Sequence, residues 1–185
     1  MADTTNFRNG YTIKLDGSLF SIVEFQHVKP GKGVAFVRTK LKNIKTGSVI
    51  ERTFRSGDKV DQVRVEKREM QYLYAEGDLF HFMDNESYDQ LVVERVLIGT
   101  SADLLKESHN ANVLMAENKP IGVELPNFVR LEVVHTEPGA KGDTATGAVK
   151  PATLETGAVV NVPLFVNQGD ILKVDTRTGM YVERS

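Results

Sequence analysis

The sequence predicts an all-β protein made of small β-barrel or sandwich domains. Short stretches in which apolar and polar residues alternate dominate the 185-residue chain, and this alternation is typical of half-buried strands. Glycine-containing turns interrupt the stretches about every ten residues, a spacing that favours barrels and sandwiches over strand–helix–strand units. Helix signals are few: Thr100 and Asp103 resemble a capping box, and Asn85 is placed to cap one further turn.

The strand-like segments run along the whole chain. The clearest are SVIERTF, MQYLYAE, DLFHFMD, NFVRLEVVHT, AVVNVPLFV and ILKVDT. Pro163 lies inside one of them and predicts a sheet edge or a bulge there, because proline cannot donate a ladder hydrogen bond.

Shifts in composition divide the chain into three segments. Residues 1–64 are basic, residues 65–127 are acidic and aromatic, and residues 128–185 form a last all-β unit. A segment of about 60 residues is marginal for an isolated core, so we expect neighbouring segments to pack on each other at least in part.

The composition also limits where the protein works. Hydrophobic residues make up 41% and charged residues 26% of the chain, as in ordinary folded proteins. The N-terminus lacks the pattern of a secretory signal, and no apolar run approaches the roughly 20 residues that span a bilayer. We therefore expect a soluble, cytoplasmic protein.

Motifs for catalysis and cofactor binding are missing from the sequence. The chain has no Cys and four His, and no two of the His have the local spacing of a metal site. Gly31-Lys32 is followed by Gly33, where a phosphate-binding loop needs Ser or Thr. No nucleophile elbow or dinucleotide fingerprint occurs. We expect no catalytic residue, no metal and no cofactor.

The turn Lys29-Pro30-Gly31-Lys32-Gly33 lies between two strand-like stretches. Pro30 fixes one φ angle, and the two glycines accept backbone conformations that other residues avoid. Lys32 therefore stands at a hairpin tip with no large neighbouring side chain. The turn is either a probe for an anionic partner or an ordinary surface turn.

Basic residues continue behind this tip. Residues 29–55 contain eight Lys and Arg and one acidic residue, a local charge of +7 in a chain of −2. Strand alternation places Arg38, Lys40 and Lys42 on one face, opposite Val37 and its inward neighbours. Together with Lys29 they form the basic ridge, which is typical of a phosphate-backbone contact. The alternative is a solubilising surface, although such surfaces usually mix both signs.

Two further segments each allow two interpretations. The aromatic residues from Tyr72 to Phe82 suit stacking on single-stranded nucleic acid or, as we favour, packing in a barrel core. The Gly-rich segment Pro138–Pro151, which carries Lys141 and Lys150, is either a linker or a loop that approaches a nucleic-acid backbone closely.

Over essentially its whole length the chain resembles bacterial elongation factor P, a homologue of the hypusine-containing factor of archaea and eukaryotes. The matching segments are long, ordered and correctly spaced. They are KPGKGVAFVRTKLKNIKTG, ERTFRSGDKV, QYLYAEGDLFHFMD, GDTATGAVKPATLETGAVVNVPLFVNQGD and ILKVDTRTGMYVER.

The resemblance implies three β-barrel domains in an L shape. They are an SH3-like (KOW-type) domain over 1–64, a central OB-fold over 65–127 and a C-terminal OB-fold over 128–185. It implies a monomeric translation factor, not an enzyme, that binds both ribosomal subunits between the peptidyl-tRNA and exit sites. There it would relieve stalling at consecutive prolines.

The resemblance also implies roles for particular residues. Lys32 would contact the CCA end of peptidyl-tRNA and could be modified by lysine-modifying enzymes, with Pro30, Gly31 and Gly33 setting the tip geometry. Gly142, Asp143 and Thr144 would form a loop that faces the exit-site codon of the mRNA. Tyr181 and Arg184 would make weaker contacts with RNA.

Three rival interpretations remain. A paralogue of this family would have a different stall preference. An OB-fold protein that binds single-stranded RNA without a ribosomal role would bind free oligonucleotides tightly. A structural adaptor would tolerate charge reversal at Lys32.

Overall fold

The computed structural model describes residues 1–139 and 147–185, and antiparallel strands dominate them. The predicted all-β class is confirmed. The strands of the first sheet are β1 (Ala2–Asp3), β2 (Thr12–Leu15), β3 (Ser18–Val28), β4 (Phe36–Asn43), β5 (Val49–Arg55) and β6 (Lys59–Gln62). Their order is β1-β6-β2-β3-β4-β5, so the long β3–β4 hairpin lies beside the edge strand β5.

Two further sheets follow along the chain. The second contains β7 (Glu66–Glu76), β8 (Leu79–Asp84), β9 (Gln90–Glu94), β10 (Asn110–Ala116) and β11 (Lys119–Glu124), in the order β11-β10-β7-β8-β9. The third contains β12 (Phe128–Thr136), β13 (Val149–Leu154), β14 (Val159–Pro163), β15 (Ile171–Asp175) and β16 (Met180–Arg184), in the order β14-β13-β12-β15-β16. Pro163 therefore lies in an edge strand, as predicted from its missing N–H.

The short helices begin earlier than the sequence predicts. The helix α1 (Arg95–Ile98) is followed directly by a 3-10 helix over Gly99–Leu104, and another 3-10 turn covers Thr4–Asn6. The predicted capping box at Thr100 is wrong, because Asp103 accepts a hydrogen bond from Arg95 Nη1 at 2.8 Å instead of capping a backbone N–H.

The turn between β8 and β9 is also capped by a different residue from the predicted Asn85. Asp84 Oδ1 accepts the N–H groups of Glu86 and Ser87 at 2.8 and 3.0 Å. The Asn85 amide instead donates to Asn110 Oδ1 at 3.2 Å. The two residues are adjacent and both are good caps, so the sequence signal could not separate them.

The chain divides into two compact units. One unit consists of Met1–Arg68 and Val113–Val123, and the other of Glu69–Asn112 and Glu124–Ser185. Residues of the predicted central segment contribute to both.

The core of the first unit contains a buried cluster on the first sheet. Its members are apolar and come from the strands and from the N-terminal turn: Ala2, Phe7, Ile13, Phe20, Ile22, Val37, Leu41, Phe54 and Val60. Phe7 and Phe54 meet edge to face, with their ring centroids 5.8 Å apart. This cluster supports the inward face of the β3–β4 hairpin.

The second unit contains the core of the third sheet, which also receives a residue from outside that sheet. Leu104, at the end of the 3-10 helix, is buried in the cluster formed by residues such as Leu131, Leu154 and Leu172. Nearby, Lys106 Nζ lies 3.0 Å from Glu155 Oε1, which also accepts the Glu132 N–H at 2.9 Å. The 99–106 segment is thereby fixed to the third sheet.

We expect Leu172→Ala to lower the free energy of unfolding by about 2–5 kcal/mol, because Leu172 is fully buried and its truncation leaves a cavity. Ile171→Ala is the matched control, since Ile171 is its neighbour and is 47% exposed. Urea unfolding followed by circular dichroism measures both. Equal losses for the two variants would contradict the assigned core.

We expect Glu155→Gln to lower stability at neutral pH by about 1 kcal/mol or less. Burial alone would raise the pKa of Glu155, but the hydrogen bonds from Glu132 N–H and Lys106 outweigh it and hold the pKa below its ordinary value. This stabilisation is present above the unfolded pKa of about 4.3 and is lost as the pH falls through the folded pKa.

Thermal unfolding between pH 7 and pH 3 measures this effect. The difference between Glu155→Gln and the unchanged protein should become smaller as the pH falls toward the folded pKa. The control is Glu86→Gln, at an exposed turn residue. A difference that stays the same across the whole range would contradict the role of the ionised carboxylate.

Candidate nucleic-acid interface

The tip of the β3–β4 hairpin presents Lys32 to solvent. Gly31, Lys32 and Gly33 form bends between the two strands, and all three residues are exposed. Gly33 has a φ of +116°, which only glycine adopts without strain. Lys32 has no hydrogen bond or ion pair with any residue in 1–139 or 147–185. The tip therefore carries an ammonium group that is free to meet an external anion.

The strand β4 behind the tip follows the predicted alternation. Val37, Thr39 and Leu41 are 0%, 3% and 0% exposed, whereas Arg38, Lys40 and Lys42 face outward. The buried Thr39 hydroxyl donates to the Arg52 carbonyl at 2.7 Å. The structure thus places three members of the basic ridge on one face, as predicted. Lys29, before the tip, is also exposed.

Cross-strand neighbours reduce the positive charge in the middle of the basic ridge. Lys40 lies directly opposite Glu24 on β3 and opposite Glu51 on β5. Its Nζ is 2.9 Å from Glu24 Oε2. The hydrogen bond and charge of Glu24, with a smaller contribution from Glu51, raise the pKa of Lys40. Lys40 is therefore already paired with a carboxylate.

The outer members of the basic ridge have neutral partners. Arg38 lies opposite Gln26 and Thr53, and its Cζ is 5.6 Å from the centroid of the Phe36 ring. Lys42 lies opposite Ser21 and Val49. These two cations remain available to phosphates. The charge count over residues 29–55 did not separate Lys40 from Arg38 and Lys42. Glu24 lies before residue 29, and only the strand register places it opposite Lys40.

Two residues of the third sheet, Tyr181 and Arg184, are predicted RNA contacts, and in the structure both contact other parts of the protein. Tyr181 is half-buried and packs against the core cluster of that sheet. Arg184 Nη1 is 3.5 Å from Asp170 Oδ2, and its Cζ is 5.2 Å from the Phe165 ring centroid. Both side chains thus have intramolecular partners.

The Gly-rich segment is described only at its two ends. Gly142, Asp143 and Thr144 lie outside the described residues. Lys150, one of its two lysines, is only 7% exposed, and its Nζ donates to the Glu137 carbonyl at 2.7 Å. Lys150 is therefore a buried anchor between β12 and β13 in this structure, which its sequence context did not indicate.

Among residues 1–139 and 147–185, no group of three or more His, Asp or Glu side chains could hold a metal ion. No helix in the same part of the chain is long and apolar enough to cross a membrane.

Comparison with known proteins identifies the family. Three family models match consecutive parts of the chain: the elongation factor P KOW-like domain at residues 3–60, the elongation factor P OB domain at 65–123, and elongation factor P, C-terminal, at 129–184. The chain belongs to the elongation factor P family. It is thus a member of a family of translation factors that act with the ribosome and tRNA.

Individual elongation factor P sequences align from end to end. The protein from Pelotomaculum thermopropionicum is 58% identical over 184 residues, with 100% of both chains covered. The protein from Desulfitobacterium hafniense strain DCB-2 is 58% identical over 185 residues, again with 100% of both covered. The KOW-like and OB matches confirm the barrel types that the resemblance implied.

A solved structure supports the fold. The structure described as eukaryotic translation initiation factor 5A from Methanococcus jannaschii superposes with a TM-score of 0.56 at 23% identity. The match covers 64% of this elongation factor P family member and 88% of the other chain.

For this member of the elongation factor P family we expect Lys42→Met to weaken ribosome binding and to lower the slope of log affinity against log salt by about one unit or less. The charge-neutral double variant Glu24→Gln with Lys40→Met should leave the slope unchanged, because the pair it removes is already neutralised internally. Binding to purified ribosomes across a salt series measures both. A lower slope for the double variant would show that Lys40 itself contacts phosphate.

Proposed function

We propose that this protein binds the ribosome between the peptidyl-tRNA and exit sites and stimulates peptide-bond formation at consecutive prolines. The observation that carries the proposal is the free Lys32 at the tip of a hairpin in a stretch of charge +7. Membership in the elongation factor P family supports it.

We assign the contacts with the ribosomal complex to residues within three domains, which span residues 1–64, 65–127 and 128–185. In the first, Lys32 approaches the CCA end of peptidyl-tRNA, and Pro30, Gly31 and Gly33 hold the tip. Arg38 and Lys42 supply the phosphate contacts next to it, with Lys29 before the tip. Gly142, Asp143 and Thr144 face mRNA at the exit site, and Tyr181 and Arg184 make weaker RNA contacts from the same C-terminal domain.

The mechanism is positional. Proline is a poor nucleophile and its ring constrains the nascent chain, so the reacting groups at the peptidyl-transferase centre are badly aligned. An ammonium group against the tRNA backbone would hold the CCA end in a productive orientation and lower the entropic part of the barrier. The ribosome performs the chemistry, and the factor supplies a charged, pre-shaped tip.

Several further properties belong to this proposal. The protein acts as a monomer in the cytoplasm, without a cofactor. Lysine-modifying enzymes extend Lys32, whose exposure gives them access. An extended side chain would reach further toward the CCA end from the same turn.

We expect Lys32→Ala to abolish relief of stalling on a reporter with three consecutive prolines, in reconstituted translation with factor purified from its native host. Stability should change by no more than about 0.5 kcal/mol, because an exposed turn residue contributes little. Lys45→Ala is the matched control, since Lys45 is an exposed lysine in the turn at the other end of β4.

The outcomes separate the alternatives. Relief by the unchanged factor and by Lys45→Ala, but not by Lys32→Ala, supports the proposal. Full relief by Lys32→Ala, or unfolding of that variant, contradicts the tip mechanism. If the unchanged factor does not relieve stalling, the protein is better explained as a paralogue or as an OB-fold protein that binds free RNA. Tight binding to single-stranded oligonucleotides would identify the second of these.

A further inference from the structure

A lysine occupies an inward-facing position in the third sheet. The buried residues of β13 are Lys150, Ala152 and Leu154, at alternate positions along the strand. Lys150 lies opposite Val162 of β14, which is fully buried in the core of the sheet. The other two buried residues of β13 are apolar, so Lys150 breaks the alternation on which the core is built. Natural proteins keep such breaks chiefly at functional positions.

Barrel stability does not account for a lysine at this position. The side chain is only 7% exposed, so its ammonium group has lost most of its contact with water. Burial of a charge is costly even when the charge has a partner, and an apolar side chain of similar volume is often equally stable or more stable. A methionine would fill the same space as the apolar stem of Lys150. The ammonium group is therefore better explained by what it contacts.

The ammonium group of Lys150 joins two strands where their backbone ladder ends. Thr136 and Ala152 are the last paired residues of β12 and β13 before the Gly-rich segment. Pro151 comes next on β13 and has no N–H with which to continue the ladder. Two side chains replace the missing backbone bonds. The Thr136 hydroxyl donates to the Pro151 carbonyl at 2.9 Å, and Lys150 Nζ donates to the Glu137 carbonyl at 2.7 Å.

The charge of Lys150 makes its link the stronger of the two. Hydrogen bonds from an ionised donor are roughly twice as strong as bonds between neutral groups. The bond also lies in a site from which most water is excluded, where electrostatic attraction is less screened. An apolar residue at position 150 would keep the core filled but would leave the Glu137 carbonyl without this donor.

Glycines at both ends of the segment add to the restraint. A Cβ at Gly139 would lie 3.1 Å from the Cβ and the carbonyl oxygen of Leu164, so the chain passes closer to Leu164 than other residues easily allow. At the other end, Gly147 has a φ of +84°. We call residues 136–139 and 147–151 the loop base. Its two halves are held together by the side-chain bonds of Thr136 and Lys150.

We propose that Lys150 is a positioning residue, whose buried ammonium group fixes the loop base and thereby orients Gly142, Asp143 and Thr144 toward the mRNA. The inference rests on the proposed function, which assigns these three residues to the exit-site codon. The direction in which a loop projects depends on the directions in which its two ends leave the sheet. A fixed base reduces the conformational entropy that is lost when the loop binds. Lys150 acts through the loop and, being buried, contacts no partner itself.

The variant Lys150→Met separates this role from a role in stability. With factor purified from its native host and a reporter with three consecutive prolines, half-maximal stall relief should need about three- to tenfold more factor. The rate at saturating factor should stay within about twofold, because Lys32 is unchanged and supplies the tip contact. The melting temperature should not fall, since methionine buries no charge. Unchanged factor requirement, or a loss of melting temperature that accompanies the loss of activity, would overturn the proposal.

The matched control is Lys173→Met, which removes the same charge from the same sheet. Lys173 lies on β15, on the other side of β12 from β13, and its Nζ is 3.0 Å from Glu183 Oε1. This variant should need within about twofold of the normal amount of factor, because an exposed ion pair contributes little. Equal weakening by both variants would indicate a general charge effect and would overturn the proposal.

A double variant tests whether Lys150 acts through the loop. Lys150→Met combined with Asp143→Ala should need no more factor than Asp143→Ala alone, because two residues that act through one element are not additive. Losses that multiply would show that Lys150 acts elsewhere and would overturn the proposal.

Nuclear magnetic resonance relaxation tests the loop base without the ribosome. The order parameters of the Glu137, Gly139 and Gly147 amides should fall below about 0.6 in Lys150→Met and stay near about 0.85 in the unchanged protein and in Lys173→Met. Equal values in all three proteins would overturn the role of Lys150. Failure of the unchanged factor to relieve stalling, or full relief by Asp143→Ala, would instead refute the proposed function at this loop, so the two failures are distinct.

Discussion

The burial of alternate side chains along β4 is the constraint on which the presentation of Lys32 depends. Val37 and Leu41 are fully buried against the core of the first sheet, and Ile22 on β3 faces them from the other strand of the hairpin. A slip of one residue in this register would turn the apolar row outward and the cations inward. The free energy of burial therefore fixes both the orientation of the tip and the face that carries Arg38 and Lys42.

Opposite charges are segregated along the chain, so a protein of net charge −2 carries a strongly positive stretch over residues 29–55. The first hairpin attracts phosphate, and the acidic second sheet keeps the rest of the surface from binding nucleic acid without selection. Pairing of Lys40 with Glu24 refines this arrangement within the hairpin itself. Orientation on a large polyanionic partner then follows from where each charge lies rather than from total charge.

Four features could be predicted from the sequence, because each depends on local periodicity or on the chemistry of one residue. They are the alternation of apolar and polar residues, the β3–β4 hairpin, the outward face of β4 and the edge position of Pro163. Contacts between distant residues could not be predicted. Glu24 meets Lys40 through a register that no local pattern encodes, and a β-bulge at residue 73 reverses the face of Tyr74. Lys150 lies in a polar, glycine-rich segment, yet tertiary packing buries it.

The edge strand β14 has a consequence for behaviour at high concentration. Its neighbourhood exposes apolar residues, including Val149 and Val159, and an open strand edge of this kind can recruit strands of other molecules into aggregates. Pro163 offers no N–H at the end of that strand, so an incoming strand cannot form a continuous ladder there. One proline thus works as a gatekeeper against intermolecular β-sheet growth, while β14 pairs with β13 on its other side.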